Sequence, residues 1–226
     1  MNVVVLVSGG LDSTVTGAIA KKEGHSLFLL TVQYGQRHDV EVDCAQKVAA
    51  WLHPVDHQFI HLDLGGLGGS ALTTNWAVPK NRSVADRQTE IPTTYVPARN
   101  TIFLSLALAY AETLSASSIY IGANIRDYSG YPDCRPEFLN VFRELAKLGT
   151  KRGVEGHTID ICAPLLSMTK AEIIQKGLSL GVPFHLTHSC YDPNEAGKSC
   201  GTCDSCLIRL EGFRDAGIED PIPYQQ

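Results

Sequence analysis

The sequence predicts an α/β fold, doubly wound on a mainly parallel five-stranded sheet, with a small C-terminal zinc-binding element. Three observations carry that expectation. Short runs rich in β-branched residues alternate with longer segments of helical period, the pattern of a parallel sheet covered on both faces. The first run, "VVVLV" from Val3, passes directly into the glycine turn "SGGLDS". Four cysteines, Cys190, Cys200, Cys203 and Cys206, gather within 17 residues near the C-terminal end. The chain divides accordingly into an α/β domain over residues 1–180 and a cysteine-rich element over 181–226.

The elements follow in order. "NVVVLV" from Asn2 is apolar throughout, as a strand buried on both faces should be. "LDSTVTGAIAKKEG" reads as a helix closed by Gly24. "SLFLLTVQY" from Ser26 is a second buried strand. "DVEVDCAQKVAAWL" from Asp39 is a helix with Val40, Cys44, Val48 and Leu52 at four-residue spacing. "HQFIHLDL" is a third strand. Residues 65–97 lack clear periodicity and exceed a usual connection, so they are a candidate substrate lid. "RNTIFLSLALAYAETL" from Arg99 is a long, mostly buried helix, and "SSIYIGA" a fourth strand. "PEFLNVFRELAKLG" from Pro136 is a helix with proline in its first turn. "HTIDICAPL" is a fifth strand. "TKAEIIQKGLSLG" is a helix opened by Thr169 as cap with Glu172 as its partner.

Composition narrows the function classes. The chain has 226 residues, 44% of them apolar, enough for a full core. Its formal net charge of -5 argues against a broad basic face for nucleic acid. The longest apolar stretch, "TIFLSLALAYA", falls short of the ~20 residues a membrane-spanning helix needs. Strand-like residues begin at once, without the flanks of a secretory signal, so the cytoplasm is the expected location. In that compartment clustered cysteines point to metal rather than disulfides.

The glycine turn has the chemistry of an anion site. Val7 ends a buried strand, and Ser8, Gly9 and Gly10 cross to a helix beginning near Leu11. Adjacent glycines let the backbone turn tightly and approach a ligand. Unpaired N–H groups at the helix start, at the positive end of its dipole, favour negative charge. Ser8 and Ser13 add hydroxyl donors. Asp12 would repel a bare phosphate but suits a bridging magnesium ion. The turn is neither a Walker A motif nor the G-x-G-x-x-G dinucleotide fingerprint. In a doubly wound sheet this position is the expected ligand crevice.

The cysteine cluster is the second chemical signal. Cys200, Cys203 and Cys206 form overlapping C-x-x-C pairs, and Cys190 supplies a fourth thiolate. Four thiolates suit a tetrahedral structural zinc with no open position for substrate. An iron–sulfur cluster and a redox C-x-x-C pair are the rival readings.

"SGGLDS" resembles the pyrophosphate loop of the N-type ATP pyrophosphatases, which cleave ATP between its α- and β-phosphates. Together with "YGQRH", "VPARN", "SGYPDCRPEF", "PLLSMTKAEI" and the cysteine cluster, it makes nearly the whole chain similar to the 7-cyano-7-deazaguanine synthase family within that superfamily. One departure is His188, where the family more often carries an aromatic residue; it stands as a rival fourth metal ligand.

The resemblance implies an ATP-dependent enzyme that turns 7-carboxy-7-deazaguanine and ammonia into the nitrile preQ0, on the route to queuosine. It implies ATP, Mg2+ and Zn2+ as cofactors. Residues Val7, Ser8, Gly9, Gly10, Leu11, Asp12, Ser13 and Thr14 would hold ATP. Arg99 and Lys170, at strand-to-helix junctions, would meet the phosphates. Asp127, Asp133 and Arg135 would read the deazaguanine. Cys190, Cys200, Cys203 and Cys206 would hold the metal. No membrane or stable nucleic-acid partner is expected, and a homodimer is a candidate assembly. Two readings from other classes stand beside it: an adenylating enzyme acting on tRNA, and a non-catalytic zinc module.

Overall fold

The fold is that of a computed structural model, which describes residues 1–36, 38, 40–126 and 131–225, and of Gln88 and Thr89 the backbone alone. In chain order the elements are β1 (Asn2–Leu6), α1 (Leu11–Lys22), β2 (Ser26–Gln33), α2 (Val40–Leu52), β3 (Asp56–His61), α3 (Val84–Thr89), α4 (Arg99–Thr113), β4 (Ser118–Tyr120), α5 (Pro136–Gly149), α6 (Lys151–Val154), β5 (Asp160–Cys162), α7 (Lys170–Ser179) and α8 (Asp204–Asp215). The strands form one sheet in the order β3-β2-β1-β4-β5. Every pairing is parallel. The winding direction reverses between β1 and β4, so the carboxyl ends of those two strands open the crevice where such sheets take ligands.

Strand alternation sorts the core into two faces. Val4 and Leu6 of β1 pack with Leu104 and Leu108 of α4 and with Leu139 and Phe142 of α5. Val3 and Val5 pack on the opposite face with Val48 and Leu52 of α2. A third cluster joins Leu11 and Val15 of α1, Ile173 and Ile174 of α7, and Phe184 and Phe213 from the C-terminal stretch. The Phe184 and Phe213 rings meet edge-on with centroids 5.4 Å apart. Residues 181–226 therefore share apolar packing with the sheet's helices.

Local signals explain the boundaries. Gly24 takes φ +80 just after α1, the left-handed conformation that ends a helix. The Thr169 hydroxyl accepts the Glu172 N–H while the Glu172 carboxylate accepts the Thr169 N–H, completing the capping box at α7. Helix α4 starts differently. Its N-cap, Ala98, is left-handed and offers no side-chain cap. The Asp133 carboxylate takes that role from across the chain, accepting the Asn100 N–H at 2.9 Å.

Residues 65–97, expected as a candidate lid, carry α3 and are fastened near their middle to the C-terminal element. Lys80 pairs with Asp192 at 2.7 Å, Arg82 with Asp204 at 2.9 Å and Arg87 with Glu211 at 2.6 Å. The Asn81 N–H donates to the Thr202 carbonyl at 2.8 Å.

Candidate active site and metal centre

The turn after β1 is shaped by close packing. Gly9 has φ +78, and a Cβ there would lie 2.5 Å from the Glu41 carbonyl oxygen and 2.6 Å from the Ala45 nitrogen. The first turn of α2 thus presses on the loop, and only glycine fits. Gly10 is the N-cap of α1 and provides no side-chain cap bond. The loop is braced internally: Ser13 Oγ accepts the Ser8 N–H at 3.2 Å and donates to the Gly10 carbonyl at 3.1 Å. Ser8 Oγ accepts the Gly10 N–H at 3.3 Å. The exit of β4 passes equally close, since a Cβ on Gly122 would sit 3.1 Å from the Ser13 nitrogen.

A cavity of about 230 Å³ opens at this corner. Val7, Ser8, Gly10, Leu11, Asp12 and Ser13 line one side, and Arg99 and Lys170 line it too. The structure therefore brings the two expected cations to the same space as the loop. Lys170 Nζ donates to both Asp12 carboxylate oxygens, at 2.6 and 2.8 Å. Arg99 lies over the Tyr34 ring, 5.7 Å from its centroid, and donates to the Tyr34 hydroxyl at 3.4 Å. Thr14 is fully buried and braces the turn from behind, its hydroxyl donating to the Gly10 carbonyl at 2.8 Å.

Three wall residues stand out that sequence did not assign to this cavity, His188 having been read only as a rival metal ligand. Glu41, at the start of α2, is the first. Burial pushes its carboxyl up from 4.5 to about 7, against the pull of the nearby Arg99 guanidinium. His188 and Arg209 are the others. Burial holds the His188 imidazole below its ordinary value. Tyr34, within the quoted "YGQRH", also lines the space, and burial raises its phenol while Arg99 draws it partly back.

Two of the three expected base-reading residues, Asp133 and Arg135, are placed outside the cavity lining. Asp133 is buried at 5% exposure and is engaged in holding the start of α4. Arg135 is exposed and serves as the N-cap of α5. Neither lines the cavity. Asp127 falls outside the described residues.

At the C-terminal end Cys190, Cys200, Cys203 and Cys206 converge, their sulfurs all within 4.8 Å of one another. Zinc with Zn–S near 2.3 Å sets tetrahedral sulfurs about 3.8 Å apart, so the four thiols fit that ion. None is in a disulfide. His188 is not in this group, which is made of cysteines alone. A Lys80 ammonium beside Cys200 adds a positive charge next to a thiolate-rich set.

The fold has solved relatives. It resembles an NMN synthetase from Francisella tularensis, with a TM-score of 0.50 and 17% identity over 96% of this chain and 77% of that one. It also resembles a 4-thiouridine synthetase, solved with RNA and bound ATP, with a TM-score of 0.51 and 21% identity over 96% of this chain and 51% of that one. At such identities the likeness is one of fold.

The sequence comparison is narrower. Residues 2–217 match the family described as queuosine biosynthesis protein QueC, and the chain belongs to that family. Curated relatives are the 7-cyano-7-deazaguanine synthase of Desulfatibacillum aliphaticivorans, 58% identical over 98% of this chain and 95% of its own length. That of Kineococcus radiotolerans is 56% identical over 98% and 97% respectively, and that of a Geobacter strain 56% over 99% and 97%.

Proposed function

We propose that this protein makes 7-cyano-7-deazaguanine from 7-carboxy-7-deazaguanine and ammonia, using two ATP per nitrile. The observation that carries this reading is the joint placement of the glycine turn, Arg99 and Lys170 around one cavity at the sheet's winding reversal, in a chain 58% identical to a protein of that name.

The chemistry sets what the site must do. A carboxylate oxygen of the substrate attacks the α-phosphorus of ATP, and pyrophosphate leaves. Ammonia then adds to the acyl adenylate; AMP departs and nitrogen loses a proton, giving the amide. The amide oxygen attacks a second ATP with loss of pyrophosphate and one N–H proton. Loss of AMP and the last N–H proton leaves the nitrile. Each oxygen thus departs on phosphorus, which is why two ATP are needed.

The residues divide this labour. The Ser8 to Ser13 turn offers amides and hydroxyls to the outer phosphates. Arg99 and Lys170 oppose charge growing on the α-phosphate. Asp12 suits a magnesium ion, which when bound neutralises phosphate charge. The four cysteines suit a structural zinc, and we assign residues 181–226 to that element. Free ammonia is the nitrogen source in this reading, and Asp127 is assigned to the edge of the deazaguanine. The protein is assigned to the cytoplasm; no helix among the described residues is long and apolar enough to cross a membrane.

The test is incubation with ATP, magnesium, ammonium and the carboxylated deazaguanine, followed by mass spectrometry. Two AMP and two pyrophosphate per nitrile are expected. ADP and orthophosphate as products would overturn the reading.

A further inference from the structure

The phosphate loop and the cysteine cluster are joined by four consecutive residues, 187–190. The His188 N–H donates to the Gly9 carbonyl at 3.0 Å. Its carbonyl oxygen lies 3.5 Å from where a Gly10 Cβ would be. On either side, Thr187 Oγ1 and Ser189 Oγ accept from Arg209 Nη1 at 2.7 and 3.3 Å. Next comes Cys190, whose sulfur belongs to the cysteine set and accepts the Cys200 N–H at 3.2 Å.

Arg209 is fixed from every side. It is 2% exposed. Asp220 accepts from its Nε at 2.7 Å and its Nη2 at 3.0 Å, and the Phe184 carbonyl accepts from Nη2 at 3.2 Å. It rides on α8, which is capped by Cys203 and contains Cys206. A metal held by the cysteine set would therefore fix both ends of the connection: Cys190 in the strap itself, and Cys203 and Cys206 at the start of the helix that carries Arg209.

The consequence lies in one peptide plane. The Gly9 C=O and the Gly10 N–H belong to the same peptide unit and point in opposite directions across it. Holding the carbonyl through His188 therefore sets where the Gly10 amide points. Gly10 lines the cavity, with only a 3.3 Å contact from its N–H to Ser8 Oγ. Glycine has no side chain to resist rotation of that plane.

We propose that residues 187–190 are a positioning strap through which metal at the four cysteines orients the Gly9–Gly10 peptide for a nucleotide phosphate. The inference rests on the nucleotide reading of the cavity. It makes the metal centre a determinant of ATP affinity and not of folding alone. Linkage then imposes reciprocity: the factor by which metal tightens ATP equals the factor by which ATP tightens metal.

The test measures both arms on the full chain. ATP affinity is determined by calorimetry for zinc-loaded, chelator-stripped and re-loaded protein. Zinc affinity is determined by competition with a chromophoric chelator, with and without saturating ATP. The expected result is ATP binding weakened about tenfold on stripping and restored on re-loading, within the usual range of coupling between sites. Zinc should be held tighter by the same factor when ATP is present. A stripped protein that keeps its circular dichroism and binds ATP as the loaded protein does would overturn the strap. So would a zinc affinity indifferent to ATP.

Should the stripped chain unfold, Thr187→Val decides. It removes the hydroxyl that accepts from Arg209 and donates to the Phe184 carbonyl, and keeps all four cysteines. The strap predicts full zinc content, weaker ATP binding with unchanged kcat, and a smaller coupling factor; unaltered ATP affinity and coupling would refute it. If zinc-loaded wild-type protein binds no ATP, the reading of the cavity falls, and the strap with it.

Discussion

Lys170 Nζ sits 2.6 and 2.8 Å from the two carboxylate oxygens of Asp12, linking the first residue of α7 to the first turn of α1. The pair is mostly shielded, with side-chain exposures of 11% and 23%. Lysine at a helix start opposes the dipole, so its place there calls for a partner beyond its own helix. Asp12 is one partner, and a phosphate entering the cavity would be another. Asp12→Asn and Lys170→Met should each lower kcat/KM for nitrile formation by about 100-fold or more, the usual loss for a group that stabilises transition-state charge. The double variant should fall far short of the product of the two losses, because the residues act as a unit. Steady-state kinetics on folded variants checks this; turnover near wild type in either single variant removes that residue from the chemistry.

Asp133 is held in place by α4. Its carboxylate accepts the Asn100 N–H, and its own carbonyl accepts from Asn100 Nδ2 at 3.1 Å. Asp133→Ala should therefore act as the loss of a buried cap, costing roughly 1–3 kcal/mol. Arg99 begins the same helix, so kcat should fall modestly with it. Denaturant midpoints and calorimetric affinity for the carboxylated deazaguanine separate this from a recognition role. Unchanged stability with lost substrate affinity would place Asp133 at the base after all.

The framework was legible because its signals are local. Five apolar runs gave the five strands, and Gly24 and the Thr169–Glu172 pair gave helix ends where they lie. Helix α8 was missed for a physical reason. Its buried residues are Asp204, Ser205, Cys206, Ile208, Arg209, Gly212 and Phe213. Most of that stripe is polar or small, because it packs on the cysteine set, an ion pair and a lysine stem as well as on the Phe184 ring. Helix α3 carried its signal openly in Ser83 and Asp86, a capping box inside a stretch read as a loop. The glycine turn, Arg99 and Lys170 could be placed because each adjoins a strand end or helix start. Glu41, His188 and Arg209 reach the cavity only through packing between distant segments, which no spacing encodes.

Glu41 gives the cavity a pH dependence. Its folded-state pKa stands near 7 against an ordinary 4.5. Between those values the unfolded chain has lost the proton and the folded chain keeps it. Stability attributable to this group is thus whole below about 4.5, and is lost as pH rises through 7. Thermal midpoints of the wild type should fall from pH 5 to pH 8 more steeply than those of Glu41→Gln. The variant should also be the more stable of the two at pH 8. An ionised Glu41 beside Arg99 also repels phosphate, so ATP should bind more weakly at pH 8 than at pH 6 in the wild type only. Parallel melting curves across that range would contradict the placement.

Gly212 offers a test of how α8 sets Lys170, the lysine assigned above to the phosphates. Glycine inside a helix ordinarily costs about 1 kcal/mol against alanine, so Gly212→Ala would stabilise an isolated helix. Here a Cβ would fall 2.2 Å from Lys170 Cγ, 2.8 Å from Lys170 Cβ and 3.1 Å from Ile174 Cδ1. The atoms in the way are the root of the lysine stem and not its mobile tip, so a change at the ammonium alone cannot relieve the clash. Either Lys170 swings off Asp12 or α8 moves away from α7. Gly212→Ala should therefore fail to raise the melting temperature, and kcat for nitrile formation should drop by an order of magnitude or more, on the scale of a mispositioned catalytic group. Zinc content should stay full, because the cysteines are untouched. A variant that melts higher and turns over normally would show that the stem has room the structure does not provide.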